Sequence, residues 1–134
     1  STLVNFATQN KSMKRHIIIS TANDLVRIAP ENIVYIASDG NYSMLKQTDS
    51  ESRLLSFQLG QIESLIHLQL GESTRDFIRI GRCLIINRSY INYINIPKQK
   101  IILSDSMTFR HELTASREAL KQLKEILEKE VVYD

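Results

Sequence analysis

Apolar, β-branched runs of four to seven residues, each cut off by turn residues, fill most of this chain and leave few ways to fold it. His16 to Ser20, Leu25 to Ile28, Ile33 to Ser38, Tyr42 to Gln47 and Arg53 to Phe57 come first. Phe77 to Ile80, Leu84 to Asn87, Tyr90 to Ile96, Lys100 to Ser104 and Met107 to Leu113 follow. Val, Ile, Tyr and Phe in short runs bounded by Gly, Pro, Asn and Asp are the pattern of strands. Asp39-Gly40-Asn41 supplies a residue that tolerates positive φ between two such runs, which predicts a hairpin, and Ala22-Asn23-Asp24 predicts a side-chain-bonded turn. Pro30 cannot donate to a ladder, so Ala29-Pro30-Glu31 separates its neighbours, with room for one helical turn. In Tyr90 to Ile96 no single alternation is clean, which predicts a bulge or a strand covered on both faces.

Only two segments change to a helical period. Leu59, Ile62, Leu65, Ile66 and Leu70 fall near one helical face, with Gly71 placed to end that helix. Leu120, Leu123, Ile126 and Leu127 form a stripe over Glu118 to Lys129, preceded by Ser116 as an N-cap candidate. At 134 residues, 43% apolar and 24% charged, the chain suits one domain with a real core. The boundaries drawn are a polar arm or linker over residues 1–13, a folded unit over 14–130 and a tail over 131–134.

Chemistry is sparse. His16, His67 and His111 lie in separate elements without metal-ligand spacing, and no cofactor motif is present. Gly40, Gly60, Gly71 and Gly81 stand too far apart for a phosphate cradle, and the carboxylates form no acid/base pair. Cys83 can make no internal disulfide, which suits a reducing cytoplasm, and its apolar neighbours favour a small buried side chain. No apolar run approaches the roughly 20 residues of a membrane span. Charge is unevenly placed. Between Phe77 and Arg117, seven Lys or Arg face two Asp or Glu, a net of +5 in a chain of net +2. Such a segment suits an anionic partner, although a solvated strand face would look the same.

Several stretches in order complete the reading: Leu25-Val26-Arg27-Ile28, Ile33-Val34-Tyr35-Ile36 through Asp39-Gly40-Asn41-Tyr42, the helix after Phe57, Phe77 through Asn87, Tyr90-Ile91, and Ser116-Arg117 before a helix. Together they resemble the LytTR family of DNA-binding domains over about Lys14 to Leu127. The resemblance implies an elongated, mainly β fold of about ten short strands in small sheets, with one internal and one C-terminal helix. It also implies inter-strand loops that enter the DNA major groove.

Three places match the family's DNA-facing positions. Asn41, Tyr42 and Ser43 form the first, where polar side chains could meet bases or phosphates, or simply build a hairpin. Arg82 is the second, with Arg79 before it and expected on the same strand face, either as a phosphate contact or as a structural ion-pair partner. Gly81 stands where the family commonly has His, and Asn87 suits a buried amide that holds a turn. Ser116 and Arg117 are the third, at a helix start that favours an anion. Arg88, Lys98 and Lys100 are phosphate candidates, as is Arg110.

The partner implied is double-stranded DNA with paired repeats, bound by two copies, with a receiver domain or histidine-kinase pathway upstream. No enzymatic activity, cofactor or membrane contact is expected. The alternative is a protein-interaction module on the same β fold that does not bind DNA.

Overall fold

The computed structural model describes residues 15–131. The arm read in residues 1–13, and the tail read in 131–134 apart from Val131, lie outside them. The described residues form ten strands, two α-helices and three short 3-10 turns. The strands are β1 (Ile17–Ser20), β2 (Leu25–Ile28), β3 (Ile33–Asp39), β4 (Tyr42–Gln47), β5 (Ser52–Leu55), β6 (Phe77–Ile80), β7 (Leu84–Asn87), β8 (Ile91–Asn95), β9 (Lys100–Ser104) and β10 (Arg110–Thr114). Helix α1 is Leu59–Leu70 and α2 is Arg117–Glu128. The fold is thus mainly β, as the strand punctuation predicts.

A five-stranded antiparallel sheet, in the order β5-β4-β3-β7-β6, organises the molecule. Each of its faces carries its own core. On one side Ile33, Ile36, Leu45, Phe77 and Ile85 pack against the β1-β2 hairpin and against Leu59, Ile62, Ile66 and Leu70 of α1. On the other, Val34, Ile78, Ile80, Leu84 and Ile86 pack against the β10-β9-β8 sheet and against Leu120 and Leu123 of α2. Strands covered on both faces must be apolar at every position, which is why Leu84-Ile85-Ile86 shows no alternation. Burying each such Leu or Ile contributes roughly 1.5–3 kcal/mol. Ile33 and Ile36 share a face although three residues apart, because a register shift between Ile33 and Tyr35 adds a residue to β3. A second shift, between Ile91 and Tyr93, accounts for the broken alternation of β8.

Turn chemistry sets the connections. Gly40 takes φ +62° in the two-residue link between Asp39 and Tyr42. Pro30–Asn32 forms the single 3-10 turn that Pro30 predicts. The turn after β1 is tied by Thr21, one residue before the segment expected to make it. Its hydroxyl accepts the amides of Asn23 (3.2 Å) and Asp24 (3.1 Å). The expected strand over Met107 to Leu113 starts only at Arg110. Asp105 Oδ1 accepts the amides of Met107, Thr108 and Phe109 at 2.9, 2.7 and 3.1 Å, drawing them into a turn where a ladder would otherwise begin. Similarly β5 ends at Leu55, and the chain turns at Ser56-Phe57 into α1. Ser116 caps α2 by accepting the Ala119 amide at 3.1 Å. The side chain of Gln69 meets the free edge of β1 as a strand residue would, accepting from Ile18 N and donating to Ile18 O, both at 2.8 Å.

Asn87 is 3% exposed and holds the junction at one end of the sheet. Its Nδ2 donates to Ile33 O at 2.9 Å and its Oδ1 accepts from Ser89 N at 3.0 Å. Asn87→Ala should therefore cost about 1–3 kcal/mol by leaving a buried carbonyl unpaired. Urea denaturation with unchanged m-value checks this.

The Thr108 hydroxyl, followed by the three amides, holds the Asp105 carboxyl well below the usual carboxylate range. A carboxyl depressed by folding contributes stability that is present above its unfolded pKa and lost as pH falls through its folded one. Followed by NMR from neutral pH downward, the Met107, Thr108 and Phe109 amides should shift together only below the ordinary range. Asp105→Asn should abolish that transition.

Candidate nucleic-acid interface

Antiparallel pairing decides which turns meet. Ala37 of β3 lies opposite Leu84 of β7, so the end of β3 and the start of β7 share one end of the central sheet. The Gly40-Asn41 turn and the Gly81–Cys83 turn between β6 and β7 therefore project from that same end, and Ser38 N bonds Cys83 O at 2.8 Å to join them. Facing the second turn is the start of α2. A cleft of about 380 Å³ separates Gly81, Arg82 and Cys83 from Gln99, Thr114 and Ser116. The β8-β9 turn completes the group, because Arg117 Nη2 donates to Pro97 O at 3.3 Å.

Four separated stretches of sequence thus converge at one end of the molecule. Arg82, Lys98 and Arg117 are exposed there, and Lys98 and Arg82 have no side-chain partner among the described residues. The first amides of α2 add the positive end of a helix dipole. Asn41 is exposed at the tip of the hairpin, and Tyr42 is 48% exposed with its hydroxyl unpaired among the described residues. Asp39 and Glu118 are the nearest acids in sequence, and both are exposed. Such an edge can offer guanidinium forks, an amide and a phenol to an anionic polymer while leaving its apolar support buried.

Some expected contacts stand elsewhere. Ser43 is fully buried and donates its hydroxyl to Phe57 O at 2.8 Å, because β4 alternation turns it inward between the exposed Tyr42 and the half-buried Met44. It cannot reach a ligand. Arg79 and Arg82 do not share a strand face, since β6 ends at Ile80 and Arg82 belongs to the turn. Arg79 Nη1 pairs with Glu63 Oε1 at 2.8 Å, the structural alternative weighed for it. Arg88 follows β7 at the far end of the sheet and pairs with Glu130 at 2.7 Å. Lys100 opens β9 beside the Pro97 turn but is paired with Glu112 at 3.4 Å. Arg110 lies at the other end of the small sheet from that turn, 3.8 Å from the same Glu112. Cys83, expected to be buried, is exposed because it stands in the turn before the apolar run, not within it.

Sequence reasoning missed the Pro97–Gln99 turn as the partner of Arg117. Gln99 adopts φ +54°, a conformation that Gln does not advertise, although Asn95 two residues before Pro97 is a turn signal. A larger polar cleft of about 600 Å³, lined by Arg27, Asn32, Asp49 and Arg53, opens at the opposite end of β3 and β4, away from these residues. Among the described residues no group of His, Cys, Asp and Glu could hold a metal ion, and no helix is long and apolar enough to cross a membrane.

The fold is mainly β, with cationic turns exposed at one end of its central sheet. The family model of the LytTR DNA-binding domain matches residues 23–128, and the chain belongs to that family, one of DNA-binding domains in transcription regulation and not of enzymes. It is similar to a solved LytTR DNA-binding domain of a Bacillus cereus chain described as a methyl-accepting/DNA response regulator. That likeness has 16% identity and a TM-score of 0.57, and covers 85% of this chain and 97% of that one. No curated protein matches the chain.

Ser43→Ala separates support from contact. It should cost about 1–3 kcal/mol in urea by leaving Phe57 O unpaired. The DNA affinity of the folded protein should stay within twofold of the parent's, a factor worth about 0.4 kcal/mol.

Proposed function

We propose that this domain binds duplex DNA sequence-specifically, with its inter-strand turns in the major groove, as the output module of a bacterial transcriptional regulator. The observation that carries the reading is Arg82 on a cleft whose far wall holds Gln99 and Ser116, the chain neighbours of Lys98 and Arg117, at the same sheet end as the Gly40-Asn41 hairpin. Arg82 and Arg117 are the base readers, since a guanidinium fork can grip guanine O6 and N7. Asn41 and Tyr42 add contacts from the hairpin. Lys98, the amides at the Ser116 cap and, less directly, Lys100 neutralise phosphate. Two copies on paired repeats, a receiver domain elsewhere in the full protein and action in the cytoplasm complete the proposal. The Bacillus cereus relative's description as a response regulator supports the receiver.

Selection of sites from a random duplex library, then titration of the winner and a scrambled control at two salt concentrations, tests it. An enriched motif bound much more tightly than its scramble is expected. Folded protein that enriches nothing would instead favour a protein-interaction module. Arg82→Ala and Arg117→Ala should each lower affinity for the winner by roughly 5- to 150-fold, the equivalent of losing about 1–3 kcal/mol of base contact. Lys98→Ala should weaken winner and scramble alike and reduce the salt slope by about 1. Cys83→Ser should leave binding nearly intact.

A further inference from the structure

The side chain of Arg79 does more than pair with Glu63. Its Nε donates to Gly81 O at 3.1 Å and its Nη2 to Arg82 O at 3.3 Å. These two carbonyls belong to the peptide planes that flank the Arg82 Cα, and the torsions between those planes set the direction of the Arg82 side chain. One planar guanidinium thus grips both planes, while its Nη1 is anchored at 2.8 Å to Glu63 of α1. Gly81 gives the turn its tight path at φ +58°, and without a side chain it contributes nothing to hold that path.

We propose that Arg79 is a positioning residue for DNA readout: with Glu63 as its anchor, it preorganises the turn that presents Arg82. The inference rests on the proposed role of Arg82 in reading a base. An unpinned turn would have to be ordered again at each binding event, so the cost appears in affinity and base preference more than in folding. Arg79 acts through two backbone carbonyls, and its remaining exposure to DNA is incidental.

Charge-conserving and charge-removing variants discriminate this from a phosphate contact. Arg79→Lys keeps the positive charge, but an ammonium cannot span a carboxylate and two carbonyls in one plane. It should lower affinity for the selected site roughly tenfold, about the cost of reordering one backbone residue. It should also flatten preference at the same base pair that Arg82→Ala flattens, and add little to Arg82→Ala in the double variant. Glu63→Ala removes a negative charge, so electrostatics alone would tighten binding; loss of the anchor should weaken it for the selected site. Circular dichroism confirms that each variant is folded, and Glu63→Ala decides the matter if Arg79→Lys is not.

Arg79→Lys with the parent's affinity and base profile, or Glu63→Ala with tighter binding, would overturn the inference alone. A parent without sequence preference, or an Arg82→Ala variant with the parent's base profile, would overturn the reading beneath it and the inference together.

Discussion

Burial of β3, β6 and β7 on both faces is the constraint on which the remaining structure depends. Two separate apolar cores, one under α1 and one under α2, meet only through this sheet. Every side chain of β7 is buried, as Leu84, Ile85 and Ile86 illustrate. Strands covered in this way have no open face for a ligand, so what they present to the outside lies at their ends.

The two ends are not equivalent. At one, Asn87 and the Pro30 turn bind the backbone into a closed junction, with Asn87 Nδ2 on Ile33 O and the Tyr90 hydroxyl on Glu31 O. At the other, the turns are held from behind: Ser38 fixes Cys83 O, Arg79 fixes Gly81 O and Arg82 O, and Ser43 fixes Phe57 O. The Ser38 amide and the Arg79 and Ser43 side chains secure backbone, and the neighbouring Tyr42 and Arg82 are left outside. Charge alone did not distinguish these roles, since Arg79, Arg82 and Arg88 are equally cationic, and of the three Arg82 alone has no ion-pair partner among the described residues.

A guanidinium inside such a motif is ambiguous in sequence. Arg is suited both to forked contact with a base and to bridging carbonyls with a carboxylate, because its donors lie in one plane. Which task it takes depends on whether a partner such as Glu63, sixteen residues away, is folded within reach.

Period and turn chemistry in the sequence determined the element order, both helices and several strand limits, among them Tyr42–Gln47 and Phe77–Ile80. Local propensity suffices there, because each run is bounded by residues that break it. Family-like stretches in order pointed to the DNA-binding class. Tertiary structure alone decided that Ser43 is buried, that Cys83 is exposed and that Arg79 serves the turn it precedes. It also brought Arg82, Pro97 and Arg117 together. These outcomes depend on strand register and on packing between distant segments, where a shift of one residue exchanges inside for outside.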